Sequence, residues 1–281
     1  MKLFIRAALL IGACAVPLAA QDEGAAKAMT VDEIVAESNR VAYYQGRDGR
    51  AQVKMEIVDA QDRTRVREMT ILRRDDPAPA GADGKVPDGD DYCGKQRFYV
   101  RFRRPADVDK TTFLVWKNPG EDDDRWLFLP ALDLVKRVSS ADKRSSFVGS
   151  NFYYEDVSGR HTQADEHELV ETTENYYVIE SKPKDPKSVE FASYKTWIHK
   201  ESFVVVKVEY RDEKGETYRT YEALAVESVQ GYPTVTKAKM SDLRTKGSTT
   251  VEYSDVAYDI GLPEDIFTER YLRREPRKYM R

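Results

Sequence analysis

Cysteine is nearly absent: the 281 residues hold only Cys14 and Cys93. If the first leaves with an N-terminal leader, no intramolecular disulfide can form and the fold rests on its core alone. Histidine is also scarce, at three residues, and the sequence lacks HExxH, GxSxG and a glycine-rich phosphate loop. Ser150 directly follows Gly149, so the nucleophile elbow of a hydrolase is missing. Enzyme readings therefore have no constellation to stand on. There is no basic excess either: 45 Lys and Arg face 49 Asp and Glu, and losing Lys2 and Arg6 with a leader takes the net charge from −4 to −6. General nucleic-acid binding wants a basic face, so it is excluded. With 33% charged and 41% hydrophobic residues, a polytopic membrane protein is excluded too. No internal repeat of fixed period is present.

The one long apolar run lies at the start. Lys2 and Arg6 precede Ala7 to Ala20, a stretch without charge. It falls short of the ~20 residues that a membrane helix needs, and small residues precede Gln21. Residues 1–20 read as a signal peptide cleaved after Ala20, which leaves 21–281 as a single domain. The rival is "IGAC", Ile11 to Cys14, which resembles a lipobox and would make Cys14 an acylated anchor.

Downstream, "TVDE" at Thr30 to Glu33 is a capping box, and Val31, Ile34, Val35, Val41 and Ala42 recur at helical spacing. The pattern predicts one amphipathic helix over about 31–44, ending near Gly46. The period then changes to two. Val53, Met55 and Ile57 alternate with Gln52, Lys54 and Glu56, and Phe98, Val100 and Phe102 alternate with Tyr99 and Arg101. Short strands separated by turn residues continue almost to the end, a serial antiparallel pattern of about ten or more strands. The segment 73–95, rich in Pro, Gly and Asp, breaks the rhythm and reads as a flexible surface loop. Residues 270–281 form a basic tail with six cationic side chains against Glu275, suited to anionic headgroups or to an acidic partner. One helix cannot cover so large a sheet. The sheet must close into a barrel, or curl part-way and leave a cavity.

The stretch Asp124 to Val157, "DRWLFLPALDLVKRVSSADKRSSFVGSNFYYEDV", resembles the central motif of the LolA-like outer-membrane lipoprotein-sorting proteins. The shared features are a tryptophan strand ending "LPAL", the basic strand "VKRV", and "SFVGSNFYYEDV"; the N-terminal helix before a long hairpin and "GLPEDIFTERYL" agree. The resemblance spans about 30–272. It implies a mainly β (α+β) fold: an unclosed, strongly curved antiparallel barrel whose N-terminal helix plugs a hollow for acyl chains. It implies a periplasmic carrier of a lipoprotein or lipid toward the outer membrane, with an inner-membrane RND-type transporter and an outer-membrane acceptor as partners. The charge and the ligand spacing leave no nucleic acid or metal to expect, and the chain is expected to be a monomer without cofactor. The alternative is a non-shuttling accessory subunit of an RND-type lipid transporter. The family's key arginine maps onto this chain only by position, at Arg40.

The resemblance gathers the lining candidates. Ile34 and Val35 would face the hollow from the helix. Trp116, Trp126, Phe128, Phe147, Phe152 and Tyr154 would line it from the sheet and from "FVGSN", a tight rim where Gly149 permits an unusual backbone angle. Taken singly, each aromatic is as well read as core. Glu155 and Asp156, if on a strand, would point to opposite faces, one of them pairing with Lys143 or Arg144. His161 and His167 near Asp165, Glu166 and Glu168 match no standard metal spacing. The acidic residues Asp83, Asp88, Asp90 and Asp91 miss the EF-hand spacing, which leaves weak calcium binding as the minor reading.

Overall fold

The computed structural model describes residues 28–76 and 94–281. The leader, Cys14, Cys93 and the acidic stretch from Asp83 to Asp91 lie outside these residues. Within them the chain runs α1 (Val31–Tyr43), β1 (Asp48–Val58), β2 (Thr64–Asp75), β3 (Gln96–Arg104), β4 (Thr112–Lys117), β5 (Asp124–Leu129), β6 (Leu134–Arg137) and α2 (Tyr154–Ser158). It continues through β7 (Asp165–Thr172), β8 (Tyr176–Pro183), β9 (Ser193–His199), β10 (Val205–Arg211), β11 (Thr217–Val229), β12 (Tyr232–Asp242), β13 (Gly247–Tyr258) and α3 (Glu269–Arg273). Both flanks of the segment expected to be a loop are strand: β2 runs to Asp75 and β3 starts at Gln96.

All thirteen strands join one antiparallel sheet in the order β6-β5-β4-β3-β2-β1-β13-β12-β11-β10-β9-β8-β7. Every neighbour is also a chain neighbour except at the β1–β13 joint. The sheet curves but does not close, because β6 and β7 remain its two edges. The segment between these edges, residues 138–164, carries Phe147 into the core. No helix among the described residues is long and apolar enough to cross a membrane.

Period-two alternation decides which side chains meet. Val53 and Met55 of β1 share a buried cluster with Met69, Phe98, Val100, Phe102, Phe113 and Val115 on the concave face. The intervening positions Leu72, Tyr99, Leu114 and Phe128 form a second cluster on the outer face. The C-terminal segment covers this second cluster with Leu262, Ile266, Phe267, Leu272 and Met280. The basic stretch 270–281 thus packs through Leu272 and Met280 while its six cationic side chains stay exposed. Its Glu275 reaches Arg101 at 3.4 Å and Arg103 at 3.2 Å, and Met280 is buried.

The helix α1 starts on the predicted capping box: the Thr30 hydroxyl accepts from the Glu33 amide at 3.3 Å, and the Glu33 carboxylate accepts from the Thr30 amide at 2.7 Å. Its end would leave carbonyls without partners. Arg73 supplies them, donating to the carbonyls of Tyr43 at 2.6 Å, Gln45 at 2.5 Å and Gly46 at 2.9 Å. Lys117 adds a cation over the rings of Tyr43 and Tyr44, at 5.3 and 5.6 Å. The N-terminal half of α1 is held by apolar packing instead: Ile34 sits against Ile179 and Ile198.

Candidate functional site

The concave face encloses a cavity of about 450 Å³, within the range of small-molecule sites. Val35, Val41 and Ala42 of α1 form one side. Strand positions from β1 round to β13, among them Val53, Met69, Ile179, Val208 and Val251, form the rest. Register sends these residues inward: Val53 opposes Met69 on one neighbour and Tyr253 on the other. Apolar side chains thus ring a space that the helix roofs but does not fill.

Of the eight lining candidates, Val35, Phe147 and Phe152 border the cavity. Ile34 is one helical position off and lies 1% exposed in the packing that docks α1. Tyr154 stands behind the wall, its ring 5.1 Å from Phe113 and 5.5 Å from Phe147. Trp116, Trp126 and Phe128 are on the outer face, so they are not part of the lining. Phe113 and Val115 take the inward positions of β4, which leaves Leu114 and Trp116 outward. The Trp116 indole N–H donates to the Phe267 carbonyl at 2.7 Å, and its ring lies 5.0 Å from Trp126. These strands are apolar on both faces, as their sequences suggest, but their second cover is the C-terminal segment. Arg40 is half-buried on α1 and pairs with Glu37 at 2.5 Å.

The "FVGSN" turn is as tight as expected: Val148 and Gly149 both have positive φ, 51° and 76°, and the Phe147 amide donates to the Phe152 carbonyl at 2.7 Å. The next few residues depart from the expectation. Glu155 and Asp156 lie on the short helix α2, not on a strand, so both can turn toward one basic group. Arg144 reaches Glu155 at 3.1 Å, Asp156 at 3.8 Å and Glu190 at 2.6 Å. Lys143 and Arg160 also reach Glu155, at 3.4 and 3.5 Å. Arg219 is fully buried, pairs with Asp156, and lies over the rings of Tyr153 at 4.1 Å and Tyr210 at 5.1 Å. Burial alone would lower the Arg144 pKa, but Glu190 and Asp156 outweigh it and raise it. These mutually neutralised charges stiffen the seam that the unclosed sheet leaves open, and Arg144, Asp156 and Arg160 border the cavity there.

The histidines are engaged separately. His161 meets Asp123 at 2.8 Å, and His167 lies between Ser181 and the Thr162 carbonyl at 2.8 and 2.9 Å. Asp165 serves Arg160 and Tyr194, at 2.8 Å each. Among the described residues no three His, Cys, Asp or Glu side chains group to hold a metal. The Ser150 hydroxyl donates to the Phe152 carbonyl at 3.3 Å, within its own turn.

The lining also holds tyrosines that are not among the sequence candidates: Tyr194, Tyr210, Tyr221 and Tyr253 all border the cavity. Each sits at an inward position of its strand, and the signal available for three of them is the alternation within "VEYRD", "TYEAL" and "VEYSD".

These features define a class: an unclosed antiparallel barrel with an N-terminal helix over its hollow, the LolA-like fold. Solved structures bear this out. The chain is similar to a DUF1329 family protein from Desulfovibrio piger, at 25% identity and TM-score 0.73, over 85% of this chain and 96% of that one. It is similar to a domain described as outer membrane lipoprotein-sorting from Vibrio parahaemolyticus, at 28% identity and TM-score 0.73, over 86% and 97%. A LolA superfamily protein from Nitrosomonas europaea shares the fold at 19% identity and TM-score 0.65, over 87% and 100%. No curated protein sequence matches. A family model described only as that of an uncharacterized protein matches residues 94–274, more than half of the chain, and the chain belongs to that family.

Proposed function

We propose that this protein is a periplasmic carrier that shields the acyl chains of a lipid or lipoprotein on the way to the outer membrane. The observation that carries the reading is the apolar cavity roofed by α1. Exposing one CH₂ to water costs about 0.8 kcal/mol, so a chain of a dozen methylenes meets a barrier of roughly 10 kcal/mol in an aqueous space. An apolar hollow removes most of that barrier. The helix roof suits release as well as binding, because its N-terminal half is docked by apolar contacts that a cargo chain can replace. The similarity to a lipoprotein-sorting domain supports the same reading, as does the leader-like N-terminus for export.

The test is to purify the exported protein without detergent, extract it with organic solvent and identify the extract by mass spectrometry. The expected result is a stoichiometric lipid or acylated peptide. A blank that persists after incubation with membranes would sink the carrier and favour a non-shuttling subunit of a transporter.

A further inference from the structure

Four tyrosine hydroxyls at the cavity have no hydrogen-bond partner among the described residues: those of Tyr43, Tyr210, Tyr221 and Tyr253. Register sets three of them inward, with Tyr210 opposite Arg219, Tyr221 opposite Val208 and Tyr253 opposite Val53. Other tyrosines of the same lining are satisfied. Tyr194 donates to Asp165 at 2.8 Å, and Tyr258 shares a 2.9 Å bond with Thr234. Buried polar groups almost always find a partner in protein, water or ligand. These four are half-buried at the cavity wall and the protein supplies them no partner, so their O–H groups are left for whatever occupies the hollow, water or guest.

The chemistry of that partner follows from the donors. Burial pushes the Tyr210 and Tyr253 hydroxyls up to about 12 each, and it raises Tyr43 and Tyr221 too, with Asp156 adding to the first and neighbouring tyrosines to both. All four are therefore neutral O–H groups at ordinary pH. Three of the guanidiniums there face carboxylates: Arg144 has Glu155 and Glu190, Arg160 has Asp165, and Arg219 has Asp156; Arg50, also at the lining, pairs with no carboxylate among the described residues, and Nε and Nη1 of Arg219 are unpartnered. An anionic end group would meet those carboxylates as well as the cations. A neutral oxygen acceptor takes hydrogen bonds from the tyrosine hydroxyls without setting a charge against those carboxylates.

Resting on the carrier reading, we infer that the hollow recognises an acyl carbonyl, the neutral acceptor of an ester- or amide-linked chain, through the hydroxyls of Tyr43, Tyr210, Tyr221 and Tyr253. The apolar walls take the hydrocarbon and the tyrosines mark where its carbonyl comes to rest.

The test uses the full exported chain and displacement of a bound fluorescent alkyl probe. The competitors are monopalmitoylglycerol, its hexadecyl ether analogue without the carbonyl, and an N-palmitoylated peptide. At least one carbonyl-bearing competitor should bind about 3- to 10-fold more tightly than the ether, the worth of one hydrogen bond. Combining Tyr210→Phe, Tyr221→Phe and Tyr253→Phe should erase that preference and leave the ether unchanged; the single Tyr221→Phe and Tyr253→Phe variants serve if the triple does not fold. Whichever carbonyl competitor loses more names the source, glycerolipid or acylated polypeptide. Equal binding of ester, amide and ether, or a preference that survives the triple change, overturns the inference and leaves a cluster that holds water. If the probe itself fails to bind, the carrier reading fails first.

Discussion

The two faces of the sheet carry the same kinds of residue and end in opposite states. On the outer face, Leu72, Tyr99 and Leu114 are sealed by Phe267, Leu272 and Met280. On the inner face, Val53, Met69 and Phe98 border an open hollow under α1. The outer cover is the chain's own last segment, tied by the Trp116 indole and by Glu275 to the arginines of β3. The inner cover is a helix clamped hard at one end and docked softly at the other. The outer face is thus built to stay shut, and the inner one has room for a guest.

The contrast predicts where substitutions act. The largest effect should come from the sealed side. Phe267 is fully buried, and Phe267→Ala should cost about 3–5 kcal/mol in denaturant unfolding while the folded fraction binds an alkyl probe with unchanged affinity. A loss of affinity there would show that the two faces are coupled.

A smaller effect is expected at the helix clamp. Burial pushes the Asp75 carboxyl up to about 6, even with the charge of Arg73 and the bond from Gln96 pulling it back. A carboxyl raised in the folded state contributes stability that is full below its unfolded value, near 4, and is lost as pH rises through 6. Asn keeps an acceptor for Arg73 and Gln96 but does not titrate. The native chain should therefore lose about 2 kcal/mol relative to Asp75→Asn between pH 4 and 7. Parallel pH profiles of unfolding for the two proteins would break the assignment.

The smallest free-energy change should fall on the guest side. Val35→Asp places a charge against the apolar cavity, and alkyl-probe affinity should drop about tenfold, or 1.4 kcal/mol. Stability should move by less than that, because Val35 is only half-buried. Normal binding by this variant would mean that α1 does not face the guest.

Much of this contrast is legible in the sequence. The capping box, the period-two strands and the need for a partly curled sheet all come from spacing. The two-sided burial of β3 and β4 is also visible in "RFYVRF" and "TFLVW". What spacing cannot supply is which face is which. Large aromatics suit a greasy cavity, which argues for Trp116 and Trp126 inward, yet their parity with Leu114 puts them under the C-terminal segment. The charges of that segment do face outward, and Leu272 and Met280 are spaced too irregularly to announce the packing beneath them. The pair Glu155 and Asp156 shows the reverse limit. A five-residue helix is too short to leave a periodic trace, so two carboxylates that share one basic cluster look like opposite faces of a strand.

The strand order has a consequence for how the chain is assembled. All of its pairings but one join strands adjacent in sequence and can be laid down locally, while β6 and β7, though adjacent in sequence, never pair. The single distant joint pairs Gly49 with Tyr258 and Val58 with Ser248, the first strand with the last. Loop-closure entropy thus falls on one seam, and the sheet grows as two meandering arms that meet in its middle. Since Val53, Met55, Val251 and Tyr253 flank that seam and border the hollow, a chain still lacking its final strand has no completed cavity.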